Sequence, residues 1–415
     1  MPFTALGLAP ALTQSAAELG FTAPTPIQQA AIPAALNGSD ILATAQTGSG
    51  KTAAYSLPIL QALMGDTPQS GRRRVRGLVL VPTRELAAQV GEVVRALAQH
   101  LSPRPKVAVA FGGVSINPQM MALRGGADVI IATPGRLLDL VDHNALRLSD
   151  VAHLVLDEAD RLLDLGFAEE LARILALLPT QRQNLFFSAT FPPAVQTLAD
   201  TLLNKPVRID VPATPVDNAV IQQQAFLVDS TRRTQLLRQL IKDNSWERVL
   251  VFVATQYAAE RLATKLHQGD MYATSFHGGL AQGARQQVLQ EFKEERWDVV
   301  VTTDLAARGI DIEQLPVVVN YDLPRSAVDY VHRIGRTGRA GASGLAVSFV
   351  SPATQAHWHL IEKRQGMNLP LEVLPGFEPL ETPPPATSSP NGNGGVKGKR
   401  PSKKDKLRVA AGVTK

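Results

Sequence analysis

Ile41-Leu42-Ala43-Thr44-Ala45-Gln46-Thr47-Gly48-Ser49-Gly50-Lys51-Thr52 is the stretch on which the reading turns. Its first part, residues 41–45, is an apolar run of the length of a fully buried strand, and the residues after Thr52 have helical spacing. Between the two, glycines let the backbone wrap an anion, and a helix N-terminus points free N–H groups at it. In such a loop Lys51 reaches the β- and γ-phosphates of a nucleotide, and the Thr52 hydroxyl binds Mg²⁺. Position 45 is Ala where the general pattern has Gly, a mild departure.

Outward from this loop, similar apolar runs recur at 78–81, 107–110, 129–132, 154–156 and 185–187. A second series occupies 249–253, 272–276, 299–301, 317–319 and 345–350. Stretches of helical spacing, such as 84–101, 168–178 and 257–266, lie between them. Alternating strands and helices predict parallel sheets covered on both faces, and two series predict two α/β domains. A chain of 415 residues is long enough for both. The first domain is expected over 1–212, a linker over 213–218 around Pro215, and the second domain over 219–374. No internal repeat is visible in the sequence, so any likeness between the halves is architectural. From about 375 the composition turns to Pro, Ser, Gly and Asn and then to Lys, so 375–415 is expected to be a disordered tail.

The formal net charge of +5 hides an uneven distribution. Residues 396–415 carry eight Lys or Arg against Asp405, a net of +7, which leaves about −2 for the rest. Basic character is therefore concentrated in the tail. A smaller cluster, Arg72, Arg73, Arg74 and Arg76, reads as a solvated face guarding a hydrophobic strand. The chain has no cysteine, which excludes disulfides and thiolate metal sites. No apolar run approaches the roughly 18 residues of a membrane span, and the first basic residue is Lys51, unlike a secretory or transit leader. A cytoplasmic protein without membrane partners is expected.

Asp157-Glu158-Ala159-Asp160 follows the apolar run 154–156. A carboxylate at the C-terminal end of a strand is where a doubly wound sheet holds its ligand. Asp157 suits Mg²⁺, a hard cation that prefers oxygen and keeps several waters. Glu158 is placed to orient or deprotonate an attacking water. Alone these four residues are a common charged helix start; beside a phosphate loop they complete a nucleotide-hydrolysis site.

With these residues the chain resembles the DEAD-box RNA helicases, over roughly residues 1–370. Gly20-Phe21-Thr22-Ala23-Pro24-Thr25-Pro26-Ile27-Gln28 is similar to the family's adenine-reading Q motif, with Phe3 as the isolated aromatic 17 residues before Gly20. The resemblance therefore implies nucleotide contacts from Phe3, Phe21, Thr25 and Gln28, and from the loop Ala45, Gln46, Thr47, Gly48, Ser49, Gly50, Lys51 and Thr52. It implies first-domain RNA contacts from Arg84 in Pro82–Ala87, from Gly112 and Gly113, and from Thr133 and Arg136 in Thr133-Pro134-Gly135-Arg136. Ser188-Ala189-Thr190 resembles the string that couples ATP hydrolysis to RNA, so Ser188 and Thr190 join Asp160 as coupling residues.

The second half continues the match. Gln282-Gly283-Ala284-Arg285 and Thr303-Asp304-Leu305-Ala306-Ala307-Arg308-Gly309-Ile310-Asp311 imply RNA contacts from Arg285 and Thr303 and a ribose contact from Asp311. In His332-Arg333-Ile334-Gly335-Arg336-Thr337-Gly338-Arg339, Arg336 and Arg339 match the family's arginine fingers, each capable of accelerating phosphoryl transfer by roughly 10³–10⁵. His332 matches the residue that couples to Asp160 or Ser188 across the cleft. The string from 331 to 341 is most similar to the bacterial RhlE-like branch.

The resemblance implies two RecA-like doubly wound parallel-sheet domains in tandem, using ATP and Mg²⁺ and closing on single-stranded RNA or a short duplex. Ribosomal or RNA-decay proteins are the protein partners it suggests. A DNA-directed translocase would need inserts for which the chain has little room. A phosphate-loop kinase leaves 219–370 without a role. An ATP-gated clamp that seldom unwinds is a third reading, against which Glu158, Arg336 and Arg339 stand intact.

Overall fold

The computed structural model describes residues 2–45, 48–64, 73–211, 221–307, 315–338 and 343–381. Gln46, Thr47, Arg72, Asp311, Arg339, the expected linker and most of the expected tail lie outside the described residues.

The first sheet contains β1 (Ile41–Thr44), β2 (Gly77–Leu80), β3 (Val107–Ala110), β4 (Val129–Ala132), β5 (His153–Leu156), β6 (Gln183–Ser188) and β7 (Val207–Asp210). Their order across the sheet is β3-β4-β2-β5-β6-β1-β7, and every pairing is parallel. Successive residues of a strand face opposite sides, so Ile41 and Ala43 enter one apolar cluster while Leu42 enters the other. Both faces are buried under helices, which is why these strands read as unbroken apolar runs.

The second sheet contains β8 (Ile221–Leu227), β9 (Val249–Phe252), β10 (Ala273–Phe276), β11 (Val299–Thr302), β12 (Val317–Asn320), β13 (Gly344–Val350) and β14 (Leu371–Glu372). Its order is β10-β11-β9-β12-β13-β8-β14, which is the first order with seven added to every strand number. The halves therefore repeat one topology without repeating a sequence, and the doubly wound reading holds for both.

Three strands lacked an apolar run in the sequence. β7 is an edge strand on which only Ile209 is buried. β8 reads Ile-Gln-Gln-Gln-Ala-Phe-Leu, and its Gln223 Oε1 accepts a hydrogen bond from the buried Tyr330 hydroxyl at 2.8 Å. β14 has only two residues. Trp358 is fully buried and packs edge-on against Tyr330, with ring centroids 5.6 Å apart; Trp246 and Trp297 are half-buried. Arg73 pairs with Asp128 and Arg74 with Asp150, and Arg74 is exposed, as a solvated face requires.

The start of the tail needs correction. Residues 375–381 are packed on the second domain, not disordered. Phe377 is 7% exposed in that domain's core, with the Arg232 guanidinium 4.9 Å over its ring. Asp229 accepts from the Leu380 and Glu381 backbone N–H groups at 2.9 and 3.0 Å. Ser230 bonds to the Glu381 carboxylate and Arg232 to the Gly376 carbonyl, so several side chains hold a segment whose composition alone suggests disorder.

Candidate ATP site and nucleic-acid interface

Strands β5, β6 and β1 are neighbours, so the segments leaving their C-terminal ends meet. After β1 comes the phosphate loop, with Gly48 and Gly50 at φ of 81° and 91°. A Cβ on Gly50 would sit 2.5 Å from the Gln28 amide nitrogen, so this position requires glycine for space as well as for its left-handed backbone. Helix α3 (Lys51–Leu63) starts here. Lys51 is 7% exposed; its Nζ donates to the Ala45 carbonyl at 3.1 Å and lies 3.9 Å from Asp157 Oδ1.

The Q-motif segment grips this loop from the side. Thr25 Oγ1 donates to the Ser49 carbonyl at 2.8 Å, and Gln28 Nε2 donates to the Gly50 carbonyl at 3.0 Å. Gln28 Oε1 accepts from the Thr25 N–H at 2.9 Å, so the same amide fixes both the start of its own helix and the phosphate loop. Phe21 is half-buried, with part of its ring accessible. Phe3 is 6% exposed and lies within the core cluster that holds Leu6, Leu8 and Leu12.

After β5, Asp157 is 2% exposed and Glu158 adopts a left-handed conformation at φ 51°, ψ 51°. A non-glycine residue held there stores strain of the kind that collects at functional sites. Asp157 Oδ1 accepts from the Glu158 N–H at 2.9 Å. Burial pushes the Glu158 carboxyl above its usual value; Lys51 pulls it down, Asp157 pushes it up, and Arg336 also pulls it down. Arg336 belongs to the other domain and is 7% exposed, so its charge reaches the first domain's carboxylate across the cleft. Of the other arginines in that string, Arg333 is committed to the fold. It grips Asp304 with two nitrogens and donates to the Asn320 side chain at 3.1 Å.

The coupling residues assemble as a network. Asp160 Oδ2 accepts from the Thr190 N–H at 3.1 Å and from its hydroxyl at 2.8 Å, while Ser188 Oγ accepts from the Asp160 N–H at 3.3 Å. His332 does not join Asp160 or Ser188. Its Nε2 lies 3.3 Å from Arg161 Nη2, and Arg161 also pairs with Asp329 at 3.3 Å. Arg161 is only 5% exposed, and its longer side chain spans the gap first.

The second cluster lies on the ends of β2, β3 and β4, where Leu80, Ala110 and Ala132 are level. Thr83 caps helix α4 (Arg84–Leu97), and Gly113, at φ 80°, lies against the Arg84 guanidinium. Arg84 in the first turn is a cation where the helix dipole disfavours one. Thr133 and Arg136 are both 8% exposed; Arg136 Nη2 donates to the Val114 carbonyl at 2.7 Å, while its Nη1 has no hydrogen-bond partner. Arg285, on helix α12 (Gln282–Lys293), reaches across the cleft to Glu85 at 2.9 Å. Burial raises Glu85 and the Arg285 charge pulls it back.

The repeated topology exposes residues the sequence reading passed over. Leu80, Ala110 and Ala132 correspond to Phe252, Phe276 and Thr302, which are level in the second sheet. Counting onward, Thr133 corresponds to Thr303, Thr83-Arg84 to Thr255-Gln256, and Gly112-Gly113 to Gly278-Gly279. Gln256 lies against both Gly278 and Gly279, as Arg84 lies against Gly113. The signal was present as a Gly-Gly pair at one offset from two strand ends, but only the strand order makes the offsets comparable.

Residues 25–198 match the model of the DEAD/DEAH box helicase family and residues 232–341 that of the helicase conserved C-terminal domain. The DEAD-box ATP-dependent RNA helicase RhpA of Helicobacter pylori is 36% identical, covering 92% of this chain and 74% of that protein. The chain belongs to the DEAD-box RNA helicases. CshA of Bacillus cereus, a helicase of the same description, is 41% identical over 87% of this chain and 67% of its own length. The S. cerevisiae Dbp5 structure bound to RNA and ADP BeF3 matches this helicase with a TM-score of 0.76 at 31% identity, over 90% of this chain and 95% of that one. Two RecA-like domains in tandem are thus the fold of this helicase.

Proposed function

We propose that this DEAD-box ATP-dependent RNA helicase acts as a two-domain clamp whose ATP site is complete only when the domains close. The observation that carries this reading is the convergence of Lys51, Asp157 and Glu158 from one domain with Arg336 from the other. ATP lies on the phosphate loop, and Arg336 stabilises charge on the transferring phosphoryl group. Arg339 and Asp311 are assigned their finger and ribose roles by motif alone. Mg²⁺ fits the donor set of a hydroxyl and a carboxylate, the hard oxygens that this cation prefers. Thr52 and Asp157 would hold the ion through one or two protein oxygens, leaving the rest of its shell to phosphates and water. When bound, the ion neutralises developing phosphate charge.

RNA is placed on the two homologous sheet ends, touching Arg84, Gly112, Gly113, Thr133 and Arg136 in one half and Gln256, Gly278, Gly279 and Thr303 in the other. Such contacts go to sugar and phosphate and carry no sequence information. The Glu85–Arg285 pair joins the two RNA surfaces, and Arg161 with His332 and Asp329 joins the ATP-side elements. We place the chain in the RhlE-like branch, with ribosomal or RNA-decay proteins as partners and the cytoplasm as its location. No described helix is long and apolar enough to cross a membrane. ATP turnover measured with single-stranded RNA, DNA and duplex tests the substrate class; stimulation by DNA equal to that by RNA would overturn it.

Glu158→Gln keeps the shape of the site but removes the base, and it should trap ATP and RNA together in a long-lived closed state. Release of RNA at the wild-type rate would refute the role. Because the Glu158 carboxyl is raised, its base form is lost as pH falls through a value above the ordinary carboxylate range. The wild-type rate should therefore fall on the acid side earlier than an exposed carboxylate allows. A flat profile down to ordinary carboxylate pH contradicts this.

The eight basic residues within 396–415 are assigned to the RNA backbone. Each phosphate neutralised on a single strand adds about −0.7 to the slope of log affinity against log salt, so contact by half of them is worth roughly 3. Removal should begin after Glu381, since residues before it are packed. Deleting 382–415 should flatten the slope by that amount and leave turnover at saturating RNA nearly unchanged. Superimposable slopes would mean that the tail touches nothing.

A further inference from the structure

On the second turn of α3, Tyr55 is fully buried, and its hydroxyl donates to Asp157 Oδ2 at 3.0 Å. Positions three and four apart share a helix face, so Tyr55 stands over Thr52 and Lys51. The ring is held by Phe187 of β6, with centroids 5.4 Å apart and planes at 59°.

We infer that Tyr55 is a positioning residue for the Mg²⁺ site, its hydroxyl reaching from the helix that follows the phosphate loop to hold the Asp157 carboxylate at the neighbouring strand end. The Glu158 N–H holds one Asp157 oxygen and Tyr55 holds the other, which fixes the plane of the carboxylate. Each oxygen keeps further acceptor capacity beyond these bonds. Hydrogen bonds behind a ligand orient it, and losing one typically weakens metal binding about 10–100-fold.

The inference rests on the Mg²⁺ assignment above, and the experiment separates the two. The full chain and Tyr55→Phe are titrated with a fluorescent ADP analogue, first in EDTA and then across a series of Mg²⁺ concentrations. Phenylalanine keeps the packing on Phe187 and removes only the hydroxyl. The variant should bind the analogue in EDTA within about twofold of wild type and require roughly 10-fold more Mg²⁺ for half of the metal-dependent gain. An unchanged Mg²⁺ requirement, or an equal loss with and without Mg²⁺, overturns the role of Tyr55. A wild-type chain with no Mg²⁺-dependent gain overturns the metal site itself. Asp157→Asn, measured alongside, should abolish the gain and mark its full range.

Discussion

Lys51→Ala should abolish ATP turnover and weaken nucleotide binding. Lys51 is the only side-chain cation between residues 45 and 52, and it is held ready by the Ala45 carbonyl, 3.9 Å from Asp157 Oδ1. Two losses combine. The phosphates lose the charge that offsets theirs inside a buried site, where removing even one preorganised donor costs about 10²–10³ in rate. Glu158, already raised by burial and by Asp157, also loses the neighbour that most lowers it, so less of it is in the base form. Phosphate release at saturating RNA, with thermal unfolding as a check on the fold, measures the effect. Turnover at the wild-type rate would remove the phosphate loop from the mechanism.

Arg336→Ala should lower RNA-stimulated turnover by roughly 10³–10⁵, the range of an arginine that stabilises charge on a transferring phosphoryl group. Nucleotide affinity should change far less, because the phosphate-loop contacts belong to the first domain. Residues 1–212 alone should likewise bind nucleotide weakly and hydrolyse almost none. Arg333→Ala is the contrasting variant: Arg333 is 2% exposed and bound to Asp304 and Asn320. Its loss should lower the unfolding temperature, as breaking a buried ion pair typically costs about 3–5 kcal/mol. Substantial RNA-stimulated hydrolysis by the 1–212 fragment would contradict a shared site.

Which strands were legible follows from where they sit. β2, β9 and β11 are buried on both faces and read Gly-Leu-Val-Leu, Val-Leu-Val-Phe and Val-Val-Val-Thr. β7 and β14 lie at sheet edges and need little apolar surface, so they lacked that signature. β8 fills its polar positions with glutamines, one of which serves Tyr330. Residues 375–381 are packed although their composition suggests disorder, because composition reports an average, whereas Phe377 and Asp229 act at single positions.

The sequence by itself determined the chemistry: a phosphate loop after a buried strand, carboxylates after another, and arginines at spacings of three within the second series of strands. These are local properties, set by backbone preference and by residue type within a few positions. Tertiary structure alone decided the partners. It buried Phe3 in the core, turned Arg333 inward and joined Arg285 to Glu85. It gave His332 to Arg161 instead of Asp160, and it matched Gln256 and Gly278-Gly279 to Arg84 and Gly112-Gly113. Those outcomes depend on strand order and on the fit of two rigid domains across a cleft. Residues far apart in sequence compete there for one partner, and the side chain that reaches it first wins.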